Sequence, residues 1–300
     1  MTSIPLVVTF YGYDVSLPAR RKVWIKKYRE LFKVADLILV EGPFMKESLI
    51  RLGCPPQKIA IQKIGIDASK LNPTPQYQTI RPSDNQTITP NITFAGHFAP
   101  KKGVMDALKA IHLLSSTGVH LPLTDFTFIL IGDGPLLPQV KKFISHNEMD
   151  SYTKLLGSLP YDKYIEELRK ATIFLHPSHT AEDGETEGGA PTTILEAQAL
   201  EIPVVSTTHA DIPNITIPQL VAALLLAGPL LAGRENSSAL LSEEHDIEGL
   251  CNSLNFLLKN PVEAREMGKL GREYVLKNHS IELTMHELEE KYLQIIRSNH

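Results

Sequence analysis

Cysteine is scarce. The 300 residues contain two, Cys54 and Cys251, far apart and in no CxxC or Cys/His spacing. That argues against a disulfide framework and a cysteine-based zinc site, and fits a reducing compartment. Positive charge is not in excess either: 30 Lys+Arg against 34 Asp+Glu leave a net charge of −4. No global basic field is present to recruit nucleic acid or an anionic membrane. The opening Met1-Thr2-Ser3-Ile4-Pro5 has no basic leader, and the apolar run Leu6–Phe10 is too short for a secretory signal. The longest apolar stretch, Leu220–Ala232 (LVAALLLAGPLLA), falls short of the about 20 residues a membrane span needs, and Gly228-Pro229 interrupts it. It reads as an apolar insertion. What is present, 43% hydrophobic and 21% charged residues, describes a globular chain long enough for one large or two medium domains.

Strand and helix signals alternate along the chain. Leu6–Phe10 reads as a strand feeding the loop Tyr11-Gly12-Tyr13-Asp14. Arg20–Lys33 is an amphipathic helix with Trp24, Tyr28, Leu31 and Phe32 at helical spacing. Ala35–Val40 is a second strand, Pro43–Leu52 a helix stopped by Gly53, and Ile59–Ile61 a third strand. Residues 72–91, rich in Pro, Thr, Gln and Asn, read as a linker. A cleaner series follows, with strands expected at Ile92–Gly96, Phe126–Ile131, Thr153–Leu156, Ile173–Leu175 and Val204–Thr207. Helices are expected at Val104–Ser115, Leu136–His146, Tyr161–Lys170, Asp246–Leu258, Val262–Lys277 and Ile281–Ile296. Such alternation implies parallel sheets with ligand-binding loops at the carboxyl ends of the strands.

The richest of these loops lies in Glu182–Thr208, EDGETEGGAPTTILEAQALEIPVVST. An acidic, glycine-rich loop runs into Pro191, placed for the first turn of a helix over Thr192–Leu200, which Pro203 ends. Backbone N–H groups freed before a helix, together with its dipole, suit a phosphate or diphosphate. Glu187 before the glycines and Glu196 inside the helix can accept hydrogen bonds from sugar hydroxyls. A sugar nucleotide is the ligand this combination suits, against the plainer alternative of a solvated acidic loop.

These residues resemble those of the retaining glycosyltransferases of the GT-B fold, with the closest likeness to the colanic-acid and amylovoran-type enzymes that build bacterial exopolysaccharides. DGETEGGAPTTILEAQALEIPVVST resembles the paired-glutamate segment of that family and HFAPKKGVMDALKAI its basic diphosphate loop. VVTFYGYDVS, LVEGPFMKESLIRLGCPPQKI, ILIGDGPL and LLGSLPYDKYIEELRKATIFLHPS fall in the expected order. The resemblance implies two Rossmann-like domains, the first incomplete. It places a partial acceptor-side domain at 1–75, a linker at 76–91 and a nucleotide-sugar domain at 92–275 with an apolar insertion at 216–232. The terminal helix at 276–300 is expected to pack back on the first domain.

The resemblance also assigns roles. Lys102 would neutralise the donor diphosphate, with Lys101 and His97 on the same loop. Glu187 and the backbone of Gly188, Gly189, Ala190, Pro191 and Thr192 would hold the donor sugar and phosphate. Glu196 would take the ribose hydroxyls, and Gly134 and Gly157 would lie beside the nucleoside. Tyr11, Gly12 and Asp14 fall on the acceptor side. The donor would be UDP- or GDP-linked, with no metal and no other cofactor. The acceptor would be a saccharide or lipid-linked, and the setting cytoplasmic. Peripheral membrane association at the inner face and a dimer through the first domain stay open as partner readings.

Departures from the family pattern are visible. His97 stands where many relatives carry Arg, and Tyr11 where His is usual. The spacing between Glu187 and Glu196 is one residue longer than usual, so Glu185 competes for the first glutamate's role. A full first domain would carry roughly 80–100 further residues before Leu6. A binding protein that holds a nucleotide sugar without turnover is therefore the alternative to an active enzyme. A nicotinamide oxidoreductase is disfavoured, because Gly132-Asp133-Gly134 lacks a third glycine. Asp183-Gly184-Glu185 has no further ligand spacing for a metal. His176 before Pro177 reads as a core or rim histidine.

Overall fold

A computed structural model describes residues 4–73, 89–116, 126–220 and 237–298. Most of the expected linker and nearly all of the Leu220–Ala232 run lie outside these residues. Two all-parallel sheets organise the chain. The first has three strands in the order β1 (Val7–Thr9), β2 (Leu37–Val40), β3 (Ile59–Ile61). Every residue of the central strand Leu-Ile-Leu-Val is buried, as a strand covered on both faces requires. Helix α1 (Lys22–Val34) seats Tyr28 and Phe32 against Phe10, with the Phe10 and Tyr28 rings edge-on at 5.5 Å. The Tyr28 hydroxyl also donates to the Asp14 carbonyl at 2.8 Å, which ties α1 to the loop after β1. Helix α2 (Pro43–Arg51) follows β2, with proline in its first turn.

The second sheet has seven strands in the order β6 (Thr153–Gly157), β5 (Thr127–Ile131), β4 (Asn91–Ala95), β7 (Ile173–His176), β8 (Val204–Thr207), β10 (Ala239–Ser242), β9 (Pro218–Leu220). Its two faces bury separate cores. One holds Phe94, Phe98, Phe128, Leu250 and Leu254, under α3 (Val104–Ser116), α4 (Leu137–His146) and α7 (Ile247–Lys259). The other holds Phe174, Ile129, Ile194 and Val275, under α5 (Tyr161–Leu168), α6 (Thr192–Ala199) and α8 (Pro261–Asn278).

Two features depart from the sequence reading. The expected insertion at 216–232 contains the edge strand β9, which pairs with β10 in register Ala239↔Pro218. Strand β10 itself was not anticipated; Ala-Leu-Leu-Ser is short, unalternating and next to a long apolar run that hides its boundaries. Helix α9 (Ile281–Ser298) meets the segment that follows β3. Gln62 donates through Nε2 to the Thr284 carbonyl at 2.8 Å and accepts from Lys291 Nζ at 3.0 Å.

Candidate active site

The carboxyl ends of both sheets face one another, and their loops touch backbone to backbone. Gly12, after β1, holds φ +114°, and Gly188, after β7, holds φ +77°. A Cβ on Gly12 would strike the Glu187 carbonyl, and one on Gly188 would strike the Gly12 backbone. Only residues without a side chain allow that approach.

The basic turn Pro100–Lys102 sits against the end of β7, since a Cβ on Gly103 would overlap the Pro177 carbonyl. From there Lys102 Nζ reaches Glu187 Oε2 at 2.7 Å, and Lys101 Nζ reaches Glu185 Oε1 at 2.8 Å. The competitor Glu185 therefore has its own lysine. The Glu187 side chain is 6% exposed. Burial, the largest single influence, works against its charge, but the neighbouring groups, Lys102 foremost and Lys101 with it, together hold the carboxyl below its ordinary value. Its other oxygen accepts from Ser178 Oγ at 2.9 Å. The Glu187 backbone N–H donates to His209 Nε2 at 3.1 Å, and His209 Nδ1 lies 2.6 Å from Glu244 Oε1. This pair of bonds fixes His209 as the Nδ1–H tautomer and orients the loop.

A half-buried carboxylate from the first sheet enters the glycine loop. Glu41, directly after β2, accepts the backbone N–H of Ala190, and a Cβ on Gly189 would meet its Oε2. Burial pushes its carboxyl up to about 8, reinforced by Asp211, Asp14 and Glu187. Asp211 crosses in the opposite direction: its Oδ1 accepts the Phe44 N–H at 2.9 Å and the Asn214 amide at 2.8 Å, capping α2.

Beside this cluster lies a cavity of about 290 Å³ lined by Gly96, His97, Gly132, Tyr164 and Thr193. His97 is exposed and adjoins Gly134, whose Cβ would lie 2.8 Å from the imidazole Cε1. Gly157, at φ +69°, accepts the Gly132 N–H through its carbonyl at 2.9 Å. Glu196 stands behind Tyr164, accepting its hydroxyl at 2.7 Å. Burial raises the Glu196 carboxyl, against hydrogen bonds from Tyr164 and Tyr161. Thr193 Oγ1 is buried without a hydrogen-bond partner, in the first turn of α6.

The structure thus brings together Lys101, Lys102, Glu187, Gly188, Gly189, Ala190, Pro191 and Thr192, with Gly12 across from them. His97 lines the neighbouring cavity, with Gly134 against its ring and Glu196 behind Tyr164. Asp14 turns back on its own loop, taking the Tyr11 N–H at 3.3 Å, and Tyr11 is 69% exposed. His176 is a neutral core residue: burial pushes it down to about 3, and its ring stacks on Phe94 at 5.2 Å. Asp183 accepts the Glu185 N–H at 2.9 Å and Glu185 pairs with Lys101, so this stretch acts as a turn and an ion pair. Sequence reasoning passed over Glu41, Asp211, Tyr164, Thr193 and His209. The one available signal was position, since Glu41 and Asp211 lie just beyond the carboxyl ends of buried strands. No helix of the described residues is long and apolar enough to cross a membrane.

Residues 89–260 match the family model described as glycosyl transferases group 1. The amylovoran biosynthesis glycosyltransferase AmsK of Erwinia amylovora is 32% identical over 209 residues, 70% of this chain and 48% of the relative. WcaL of Escherichia coli K12, named for colanic acid biosynthesis, is 30% identical over 210 residues, again 70% of this chain and 48% of the relative. The chain therefore spans about half the length of these relatives. The crystal structure of Anabaena HepE in complex with UDP-glucose shares the fold with a TM-score of 0.74 at 14% identity, covering 97% of this chain and 72% of that one.

Proposed function

The chain belongs to the group 1 glycosyl transferases, with the GT-B fold, and we propose that it transfers a sugar, with retention, from a nucleoside-diphosphate donor to a saccharide or lipid-linked acceptor in exopolysaccharide or lipopolysaccharide synthesis. The observation that carries this reading is the Lys102–Glu187 pair, set before α6 and closed from the other sheet by Gly12. An arriving diphosphate offers Lys102 a stronger partner. Lys102 then turns to the phosphate, and Glu187 is released to accept hydrogen bonds from the donor sugar. As the anomeric C–O bond breaks, negative charge grows on the diphosphate, where Lys101, Lys102 and the first N–H groups of α6 stand ready. The acceptor oxygen forms the new bond on the same face of the sugar and passes its proton to the departing diphosphate oxygen. In this reading the leaving group is stabilised without a metal. Glu196 and Tyr164 receive the ribose beside the 290 Å³ cavity, and the donor base is uracil or guanine.

A second reading is a binding protein that holds the donor without turnover. It needs only the donor half of the site, the Lys102–Glu187 pair and the cavity beside Tyr164. Labelled-sugar transfer to candidate acceptors, measured beside calorimetric binding of UDP and GDP, separates the two. Transfer supports the first; binding alone supports the second. A chain that binds neither nucleotide overturns both.

A further inference from the structure

Outside the donor pocket, three side chains from three separate elements converge. Asp106 lies in the first turn of α3, His179 in the loop after β7, and His245 in the turn after β10. One ligand atom from each lies within 4.8 Å of the others. His245 Nδ1 is 2.7 Å and His179 Nδ1 3.2 Å from the same oxygen, Asp106 Oδ2. Asp106 and His179 are buried, at 3% and 8% exposure. His179 Nδ1 is itself buried, and its 3.2 Å contact with Asp106 Oδ2 falls short of full hydrogen-bond geometry. A buried polar atom served only by an off-line contact calls for a reason. His245 adds a second oddity: its backbone holds φ +64°, a sparsely populated conformation, and this presents its ring to Asp106 with the two imidazole centres 4.1 Å apart.

We propose that Asp106, His179 and His245 form a binding site for a divalent transition-metal ion of the zinc type. Two imidazole nitrogens and one carboxylate oxygen are its preferred donors, whereas magnesium and calcium favour all-oxygen shells. At about 2.0–2.2 Å from each donor, a tetrahedral ion holds its ligand atoms about 3.3 Å apart. The His179–Asp106 distance already fits. The His245 contact must open by about half an ångström to reach the same spacing; with 57% of its side chain exposed it is free to do so. Lys109 Nζ, 3.0 Å from Asp106 Oδ1, orients the carboxylate and leaves Oδ2 for the ion. A cavity of about 880 Å³ lined by Met105, Lys109, His179, Thr180 and His245 supplies room for water in the fourth position.

The position gives the ion a task distinct from leaving-group chemistry. The His179 N–H donates to the Lys101 carbonyl at 3.0 Å, and the Thr180 N–H donates to Glu244 Oε2 at 2.8 Å. Glu244 in turn holds His209, which orients Glu187. An ion at this site would cross-link α3, the loop that carries Glu187 and the turn after β10.

The test uses the full chain stripped with a chelator and titrated with Zn²⁺ by calorimetry and with Co²⁺ by visible absorption. The expected result is one equivalent bound at micromolar Kd or tighter, with a raised Tm. His245→Ala and Asp106→Asn should each weaken binding at least tenfold and abolish the Tm shift. Absence of binding in the parent overturns the proposal, as does parent-like affinity in His245→Ala, or Mg²⁺ binding as tight as Zn²⁺. Should Asp106→Asn fail to fold, His245→Ala, a truncation of a largely exposed side chain, decides alone.

Discussion

Lys102 Nζ lies 2.7 Å from Glu187 Oε2, and the carboxylate it neutralises is almost fully buried. The basic turn and the glutamate segment, some 85 residues apart in the chain, are thereby one electrostatic unit. On the function proposed above, binding a diphosphate at this unit is an exchange of partners, so replacing the lysine should change both affinity and stability.

Lys102→Ala should therefore show two effects. Loss of a charged contact costs about 1.5–3 kcal/mol of UDP or GDP affinity, and the remaining affinity should depend less on salt. The uncompensated Glu187 should also lower unfolding stability by about 3 kcal/mol. Calorimetry at two salt concentrations and urea denaturation read the two separately. An unchanged affinity removes Lys102 from the donor site. His97→Arg, which adds a permanent cation beside Gly134, should strengthen diphosphate binding.

Glu196→Ala tests the nucleoside side. Its carboxylate is held by Tyr164 at 2.7 Å and lies behind the cavity wall. Nucleotide affinity should fall by about 1.5–3 kcal/mol. Tyr164→Phe should cost less, because it frees one carboxylate oxygen instead of removing the carboxylate. Equal losses in the two variants would show that Glu196 acts only through the tyrosine.

Glu41 provides a pH signature. Burial, with Asp211, Asp14 and Glu187 nearby, raises its folded-state carboxyl from the ordinary 4.5 to about 8. The folded protein keeps the proton between these values, where the unfolded chain has released it. Glu41 is thus least harmful below pH 4.5. Its contribution to stability declines as pH rises toward 8 and is constant above that, with a limiting slope of about 1.4 kcal/mol per pH unit. Glu41→Gln keeps an acceptor for the Ala190 N–H and removes the titration. Its Tm should match the parent's near pH 5 and exceed it at pH 8. Parallel curves across that range would show that Glu41 is ionised in the folded state.

Sequence and structure agree most where a local signal is strong. The β7–α6–β8 segment was legible because the glycines, Pro191 and Pro203 punctuate it, and the basic turn because Gly103 ends it. Contacts that depend on how two sheets face each other were not. Nothing in Glu41 or Asp211 as residues announces that each reaches the other sheet's loop. The Lys102–Glu187 pairing was equally hidden, since the two positions carry separate roles when read one at a time. Strand β10 was missed for lack of periodicity in four residues, while the buried run in β2 was unmistakable.

The two sheets should differ in stability. Among the described residues the first has three strands, and every residue of its edge strand β1 is only partly buried. The second has seven strands with an apolar core on each face. An exposed edge and a small core lower the free energy of local opening. Opposing this, Asp211 caps α2, Gly12 packs on the Glu187–Gly188 backbone, and Gln62 joins α9. Hydrogen exchange should show weaker protection over residues 7–61 than over 91–116 and 127–207, with UDP or GDP adding protection mainly in the latter. Asp211→Ala removes the α2 cap, worth about 0.5–2 kcal/mol, and should lower protection in the first set while leaving β4, β5 and β7 unchanged. Uniform protection across both sheets, moved equally by Asp211→Ala, would mean that the chain opens as one cooperative unit and that the crossing contacts, not the sheets, set its stability.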